Sequence, residues 1–471
     1  MKRSVVVVGA GPAGLSAAIE AARRGAHVTL LDEAARPGGQ IYRQAHPSLG
    51  DGEYAERGER ARKHALLARF DDVSSDIDYR SDANVYALFA NGELHFAQGD
   101  SSEVLRPDAI VLAAGVREMA IPFPGWTTPG VMFAGGAQAI LKSQRVLPGR
   151  QAVVAGCGPL PVVVAAQLIR AGAEVRALAG LRPLREMARD PLALWHGRTI
   201  VQEGLRYTQT VARAGVERLT GYVPIRAIGQ ERLEAVVLAR VDREGCVVAG
   251  TEREIGCDLL AINYGFAANS ELAAMAGASM RFEAERGGWL PVADEFGRTS
   301  VSNVFVAGDG AGVRGALVAE AEGQIVGAAA AAPPDDIGTD TMRSSLAAVL
   351  QRRVRHQAFQ SAVRATFRLP PKLWQITTDD TVVCRCENVA LRDIRTALAA
   401  GHSSVNAVKR NVRSGMGWCG GRTCLRAVAA LTELYAGVPP AAMMTPRPMV
   451  RPVTFGAVAA QNKAHSKAHS A

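Results

Sequence analysis

The 471-residue chain has no long hydrophobic run, no block of like charge and few cysteines for its length. No apolar stretch approaches the ~18 residues of a membrane span, so a transmembrane segment is not expected. Seven cysteines, an odd number at low density, exclude a disulfide-stapled secreted scaffold. They fit a reducing compartment in which clustered thiolates bind metal. The net charge is +9, yet the basic residues are spread along the chain without a run of five or six. That pattern describes a solvated surface with a docking face and gives no reason to expect nucleic acid as a partner. Partnered histidines are also missing. His46, His64, His196 and His402 stand alone in the sequence, and no catalytic acid–base residue is nominated. The opening Met1–Ala18 copies the layout of a secretory leader, with a basic head, an apolar run and small residues. A strand, a glycine loop and a helix account for the same letters and for their glycines. The expected location is cytoplasmic, peripheral to a membrane only through a larger complex.

What is present is glycine, at 48 residues, and an ordinary balance of 48% hydrophobic and 21% charged residues. That length and balance allow two or three domains with a sizeable core. The clearest signal is Gly9-x-Gly11-x-x-Gly14, after the apolar run Ser4–Val8 and before an alanine-rich helical stretch from Pro12 to Arg24. Gly9 permits a tight turn, Gly11 lets backbone approach a pyrophosphate, and Gly14 lets helix and strand pack closely. Pro12 and Ala13 open the helix, whose N-terminus offers free N–H groups to phosphate. A second strand, His27–Leu31, ends at Asp32, placed to accept hydrogen bonds from ribose hydroxyls, with Glu33 beside it as a substitute.

The same pattern returns 147 residues later, where Gly156 and Gly158 match Gly9 and Gly11. This second unit departs twice from the first. Pro161 stands in place of the third glycine, bringing a bulky ring and no N–H, and Ala179 stands where Asp32 would be. The expectation is a retained fold with weakened or lost dinucleotide binding; Arg182 could meet a 2′-phosphate, although such a surface Arg is more often solvated. Helical segments over 184–214, mixed strands over 232–262, a Pro/Asp-rich linker at 332–340 and a basic helical stretch over 342–367 follow. The last eleven residues, Gln461–Ala471, are polar and repetitive, which predicts disorder.

Near the C-terminus, Cys384-x-Cys386 and Cys419-x-x-x-x-Cys424 frame two short helical stretches around a glycine turn. Cys-x-Cys is tight for a zinc knuckle and suits a [2Fe–2S] cluster, whose two irons need two thiolates each. Lys409, Arg410, Arg413 and Arg422 offset the cluster's negative charge. Gly415, Gly417, Gly420 and Gly421 let backbone N–H groups approach sulfur. Zinc remains the alternative metal. Cys157, Cys246 and Cys257 are scattered and read as structural.

Two further stretches carry a resemblance. "IVLAAGVRE" from Ile110 and "NVFVAGDGAG" from Asn303 resemble the returning strands of the two-dinucleotide flavoproteins of glutathione-reductase type. The resemblance implies FAD, with Asp309 on the ribityl chain and Gly39, Gln40, Ala114, Gly115 and Gly308 along the cofactor. The disulfide pair that such reductases keep after "GGQI" is missing. The cysteine region resembles bacterioferritin-associated ferredoxin, except that its second pair has four intervening residues where that domain has two. Together with "FPGWTTPGVMFAGGAQ" and "RPMVRPV", nearly the whole chain resembles the FAD-binding α subunits of heteromeric amino-acid and opine dehydrogenases.

The fold expected is α/β: two Rossmann-like dinucleotide-binding domains of glutathione-reductase type plus a small, mostly helical C-terminal [2Fe–2S] domain. Residues 1–125 and 290–332 form the FAD domain, 126–289 the degenerate second domain, and 333–375 a linker and helical segment. Residues 376–440 form the cluster domain and 441–471 a tail. The resemblance implies an electron-transfer subunit for oxidation of an amino-acid, imino-acid or opine C–N bond on a flavoprotein β subunit. The further partners it implies are an acceptor such as a quinone and a small ferredoxin-like subunit. A self-contained NAD(P)H-dependent flavin–iron–sulfur reductase and a non-enzymatic iron-handling module are the competing readings.

Overall fold

The computed structural model describes residues 2–49 and 54–460. Gln461–Ala471, for which disorder is expected, lie outside the described residues. The run Ser4–Val8 is the central strand of a five-stranded parallel sheet, in the order Val304–Val306, Ala109–Leu112, Ser4–Val8, His27–Leu31, Ile77–Arg80. Helices or strands cover both faces, so the strands are apolar on both sides, and Val5, Val6, Val7 and Val8 are all buried. Neighbouring strands leave Ser4–Val8 in opposite directions, which opens a crevice at its carboxyl end, the usual ligand position in such sheets.

Two helices flank that crevice, Pro12–Arg23 and Ala316–Ala331. They touch backbone to backbone. A Cβ on Gly323 would lie 2.1 Å from the Ala13 carbonyl oxygen, and one on Gly327 2.3 Å from that of Ala17. Only glycine at these two positions allows the approach, and the approach brings both helix N-termini to the same opening.

The second sheet is also parallel: Glu217–Thr220, Glu174–Gly180, Gln151–Gly156, Leu259–Asn263, Val131–Phe133. Because Val304–Val306 returns to the first sheet afterwards, the second unit is an insertion in the first. An antiparallel ribbon, Val116–Glu118 with Phe266–Ala268, ties the two units together. The basic stretch forms two helices, Asp340–Ser345 and Ala347–Thr366. Phe359 on the longer one packs over Gly197, where a Cβ would lie 2.2 Å from its ring.

The cysteine region is a short antiparallel pair, Val382–Cys384 with Val389–Ala390, and three helices, Leu391–Ala399, Val405–Val412 and Leu425–Ala436. Its apolar residues Val383, Ile394, Val408 and Val428 share one core with Trp126, Val236 and Leu260 of the inserted unit. Trp126 Nε1 donates to the Val382 carbonyl at 2.6 Å, and Thr377 Oγ1 to that of Pro122 at 2.6 Å. The following residues form a strap back to the first unit. Met444 is buried against Gly415 and Gly421, Val450 N donates to Tyr86 O at 2.9 Å, and Arg451 pairs with Glu33 at 3.4 Å. No helix among the described residues is long and apolar enough to cross a membrane.

Candidate cofactor site and four-cysteine centre

The crevice opens into a cavity of about 1490 Å³ that runs from the first glycine turn to the last helix of the cysteine region. Gly9 has φ +102°, and a Cβ there would lie 2.5 Å from the Ala113 carbonyl oxygen. Gly14 is tighter still, since its Cβ would fall 1.6 Å from Gly9 O. Gly11 faces Gly39, whose Cβ would meet Gly11 Cα at 2.7 Å. The backbone there leaves space for a ligand and none for side chains. Gly11, Pro12, Ala13, Asp32, Glu33, Gly39, Gln40, Ala114, Gly115 and Asp309 all line the cavity, so the structure gathers most of the residues nominated for the cofactor. Gly9 lines it as well, while Gly308 supports the neighbouring Asp309 from a buried position, its N–H donating to Glu322 Oε2 at 3.1 Å.

The carboxylates differ in how they are spent. Asp32 accepts from the N–H groups of Ala10 and Ala34, the latter at 2.7 Å, so it fastens the glycine turn while lining the cavity. Burial pushes its pKa up, opposed by those two N–H groups. Glu33 is engaged by Arg451 of the strap at the cavity rim. Asp309 Oδ1 accepts from Arg314 N at 2.7 Å and Gly315 N at 2.8 Å, which sets the turn that starts the Ala316 helix. Desolvation raises its pKa, and those N–H groups oppose the shift.

The second glycine turn is built differently from the expectation. Pro161 is buried in the first turn of the helix Leu160–Arg170, where a missing N–H breaks no helical bond, and the packing is intact. The clash expected of its ring is therefore not what changes the site. Its helix starts one residue later than the matching Pro12 helix, and a donor is lost where Gly14 supplies one. Ala179 is fully buried in its strand. Arg182 is engaged by Glu186 at 3.4 Å. Cys157 Sγ donates to the Phe367 carbonyl at 3.1 Å, so the chain after the long basic helix runs directly beside this turn. Burial pushes the Cys157 thiol up to about 12.

The four C-terminal cysteines approach in two pairs. The Cys424 thiol bonds to Cys384 and pulls the Cys384 thiol down to about 6 against burial, helped by N–H groups of Gly415, Glu387 and Cys386. Cys386 and Cys419 form the other pair, and burial holds the Cys386 thiol above its ordinary value. Among the described residues, no three His, Cys, Asp or Glu side chains converge as the shell of one ion. Two thiol pairs with backbone donors on sulfur are the donor set that a two-iron cluster needs. A Cβ on Gly417 would lie 2.4 Å from Cys386 Cβ, so glycine lets this loop close on the pair. Of the expected cations, Arg413 binds Glu387, Lys409 reaches Thr445 O and Arg422 reaches Val450 O, all within 3.2 Å.

Sequence reasoning missed three residues. Glu118 lines the cavity, accepts from Asn263 Nδ2 at 2.7 Å and sits at the N-terminus of the helix Ala134–Gln144. Burial raises its pKa, against the N–H groups of Gly135 and Gly136. Asn269 Nδ2 donates to Ala114 O at 2.8 Å, and its Oδ1 accepts from Arg117 at 2.7 Å. Arg117 Nε then donates to Arg422 O, also at 2.7 Å. Three side-chain hydrogen bonds thus join the cofactor turn at Ala114 to the loop holding Cys419 and Cys424. The one local hint was position: Arg117 and Glu118 directly follow the "AAGV" turn.

Residues 3–324 match the pyridine nucleotide-disulphide oxidoreductase family, and residues 382–433 the BFD-like [2Fe-2S] binding domain. An opine oxidase subunit of Agrobacterium tumefaciens (strain Ach5) is 34% identical over 91% of this chain and 85% of its own. Hydrogen cyanide synthase subunit HcnB of Pseudomonas aeruginosa is 30% identical, over 96% of this chain and 97% of its own. Among solved structures, L-proline dehydrogenase from P. horikoshii covers 97% of this chain with a TM-score of 0.66 at 20% identity, which shows a common fold. That structure is covered over 79% of its own chain. The chain therefore belongs to the pyridine nucleotide-disulphide oxidoreductase family, as an FAD-type flavoprotein oxidoreductase that also carries a BFD-like [2Fe–2S] domain.

Proposed function

We propose that this chain is the electron-transfer subunit of a heteromeric dehydrogenase or oxidase for the C–N bond of an amino acid, imino acid or opine. In this reading a flavoprotein β subunit carries the substrate, and a quinone or a small ferredoxin-like subunit takes part downstream. The names of its relatives, subunits of opine oxidase and of hydrogen cyanide synthase, support the assignment. The carrying observation is the link Ala114–Asn269–Arg117–Arg422, a continuous bonded wall between the flavin cavity and the cysteine loop.

When bound, the flavin exchanges electron pairs and the cluster carries electrons singly. Gly9, Gly11 and Gly39 keep the pyrophosphate path clear of side chains, Gly14 lets the helix pack on the turn, and the Pro12 helix turns its free N–H groups to that path. Asp32 and Glu33 remain the ribose acceptors, since each carboxylate oxygen has a lone pair beyond the bonds described. Asp309 fixes the Ala316 helix with its N-terminus toward the cavity, where its dipole favours negative charge. Cys384, Cys386, Cys419 and Cys424 are the proposed cluster ligands. Glu118 is the proton-holding group nearest in kind to a general acid, because burial favours its neutral form. The second glycine turn has lost a donor and its strand-end acid, so its nicotinamide binding is weakened or lost.

The test is copurification from the native source, followed by anaerobic mixing with candidate amino acids. The complex should bleach the flavin and reduce the cluster, and the lone chain should do neither. A lone chain that oxidises an amino acid, or whose flavin is bleached by NAD(P)H at micromolar affinity, overturns the reading.

A further inference from the structure

The last helix of the cysteine region, Leu425–Ala436, is capped by Cys424 and carries Arg426, Ala430, Glu433 and Leu434 at spacings of four, seven and eight residues. Those four form one helical face, and all four line the large cavity. Arg426 is 9% exposed. Among the described residues it has no hydrogen bond and no ion pair, and its Nε is sealed from water without a partner. Its guanidinium lies 4.9 Å from the centroid of Phe282, which is held edge-on by Trp289 at 4.8 Å. Space for the side chain is made by Gly288, where a Cβ would fall 2.9 Å from Arg426 Cδ. Glu433, on the same face, is exposed and makes no bond to it; burial lowers the Arg426 pKa and outweighs the charge of Glu433, which favours the guanidinium only from a distance. Arg117, the nearby cation, is already committed to Glu271 at 2.7 Å.

A buried charge without a bonded counter-charge is costly, and proteins keep one where something pairs with it. Arg426 presents a planar fork, sized for two oxygens of a carboxylate or phosphate. We infer that Arg426 is the receptor for the oxyanion of a small ligand, a carboxylate or a phosphate monoester, that enters the arm of the cavity between the last helix and the Met280–Pro291 hairpin. Phe282 fixes the plane of the guanidinium, and Ala430 and Leu434 offer an apolar wall for the rest of the ligand.

The test uses the full chain with flavin and cluster loaded, titrated calorimetrically with inorganic phosphate and, separately, with acetate. One saturable site is expected for at least one anion. Arg426→Met should weaken it roughly tenfold to a hundredfold, and Arg426→Lys should restore part of the loss. Binding of acetate alone identifies a carboxylate ligand, and of phosphate alone a phosphate ester. The inference is overturned if a folded Arg426→Met chain, with unchanged flavin and iron content, binds both anions as the native chain does. It is equally overturned if the native chain binds neither and gains no thermal stability from either, a measurement that stands even if the variant does not fold.

Discussion

The two glycine turns share strand, turn and helix, and they differ in what meets them. At Gly9–Gly14 the backbone of Gly39 comes up to Gly11 and leaves a lined opening, with an acid at the next strand end. At Gly156–Pro161 one N–H is gone, the strand end is a buried alanine, and the chain's own Phe367 carbonyl caps Cys157. A Rossmann unit can thus keep its fold without that donor and that acid, because the sheet and helix packing that holds it together does not depend on phosphate donors. The same unit shares its core with the four-cysteine region, so its remaining surface is given over to a neighbouring domain.

The sharpest way to break this comparison is at one glycine of each turn. Gly14→Ala should cost about 3–5 kcal/mol and abolish flavin retention, because its Cβ has no space. Gly158→Ala meets nothing within 4 Å and suffers only from its φ of +92°, so about 1–2 kcal/mol and full flavin content are expected. Thermal unfolding and the flavin absorbance of the purified chains decide both. Next, Cys384→Ser should lower cluster-dependent turnover by about a hundredfold or more while leaving the flavin bound, read by iron content and acceptor assays. Arg117→Met removes the bridge and strands Glu271, which is 14% exposed. It should destabilise the chain by about 3 kcal/mol and slow cluster reduction with both cofactors still present, as stopped-flow spectroscopy would show.

A smaller effect is expected at Glu118. Its folded pKa is raised above the ordinary 4.5, chiefly by burial, so its contribution to stability is present below pH 4.5 and is lost as pH rises through the folded value. Glu118→Gln should therefore gain stability relative to the native chain across that window and then hold a constant difference, as melting temperatures at stepped pH would report. The smallest effect is none: NAD(P)H added to the lone chain should leave the flavin spectrum unchanged.

Much of this was legible from local pattern. Both turns and each cysteine pair depend on residues a few positions apart, and the insertion on a pattern that returns 147 residues later, so spacing carries that information. Pro161 shows where local reading of its bulky ring went too far, since a proline in the first turn of a helix leaves the packing intact and removes only a donor. Asn269, Arg117 and Arg426 were invisible for a different reason. Each acts on residues about 150 to 300 positions away, or on a cavity wall assembled from several segments, and neither leaves a period in the sequence.

The strap has a consequence for biosynthesis. A ribosome must deliver Val304–Val306 before the first sheet is complete, and Arg451 before the rim at Glu33 is tied down. Domains emerging from the N-terminus fold first, so the crevice between the Pro12 and Ala316 helices stands open until the cavity walls from the last third of the chain arrive. Dinucleotide loading would then precede closure by the strap, and cells starved of the flavin should accumulate chains whose C-terminal segment remains open to protease.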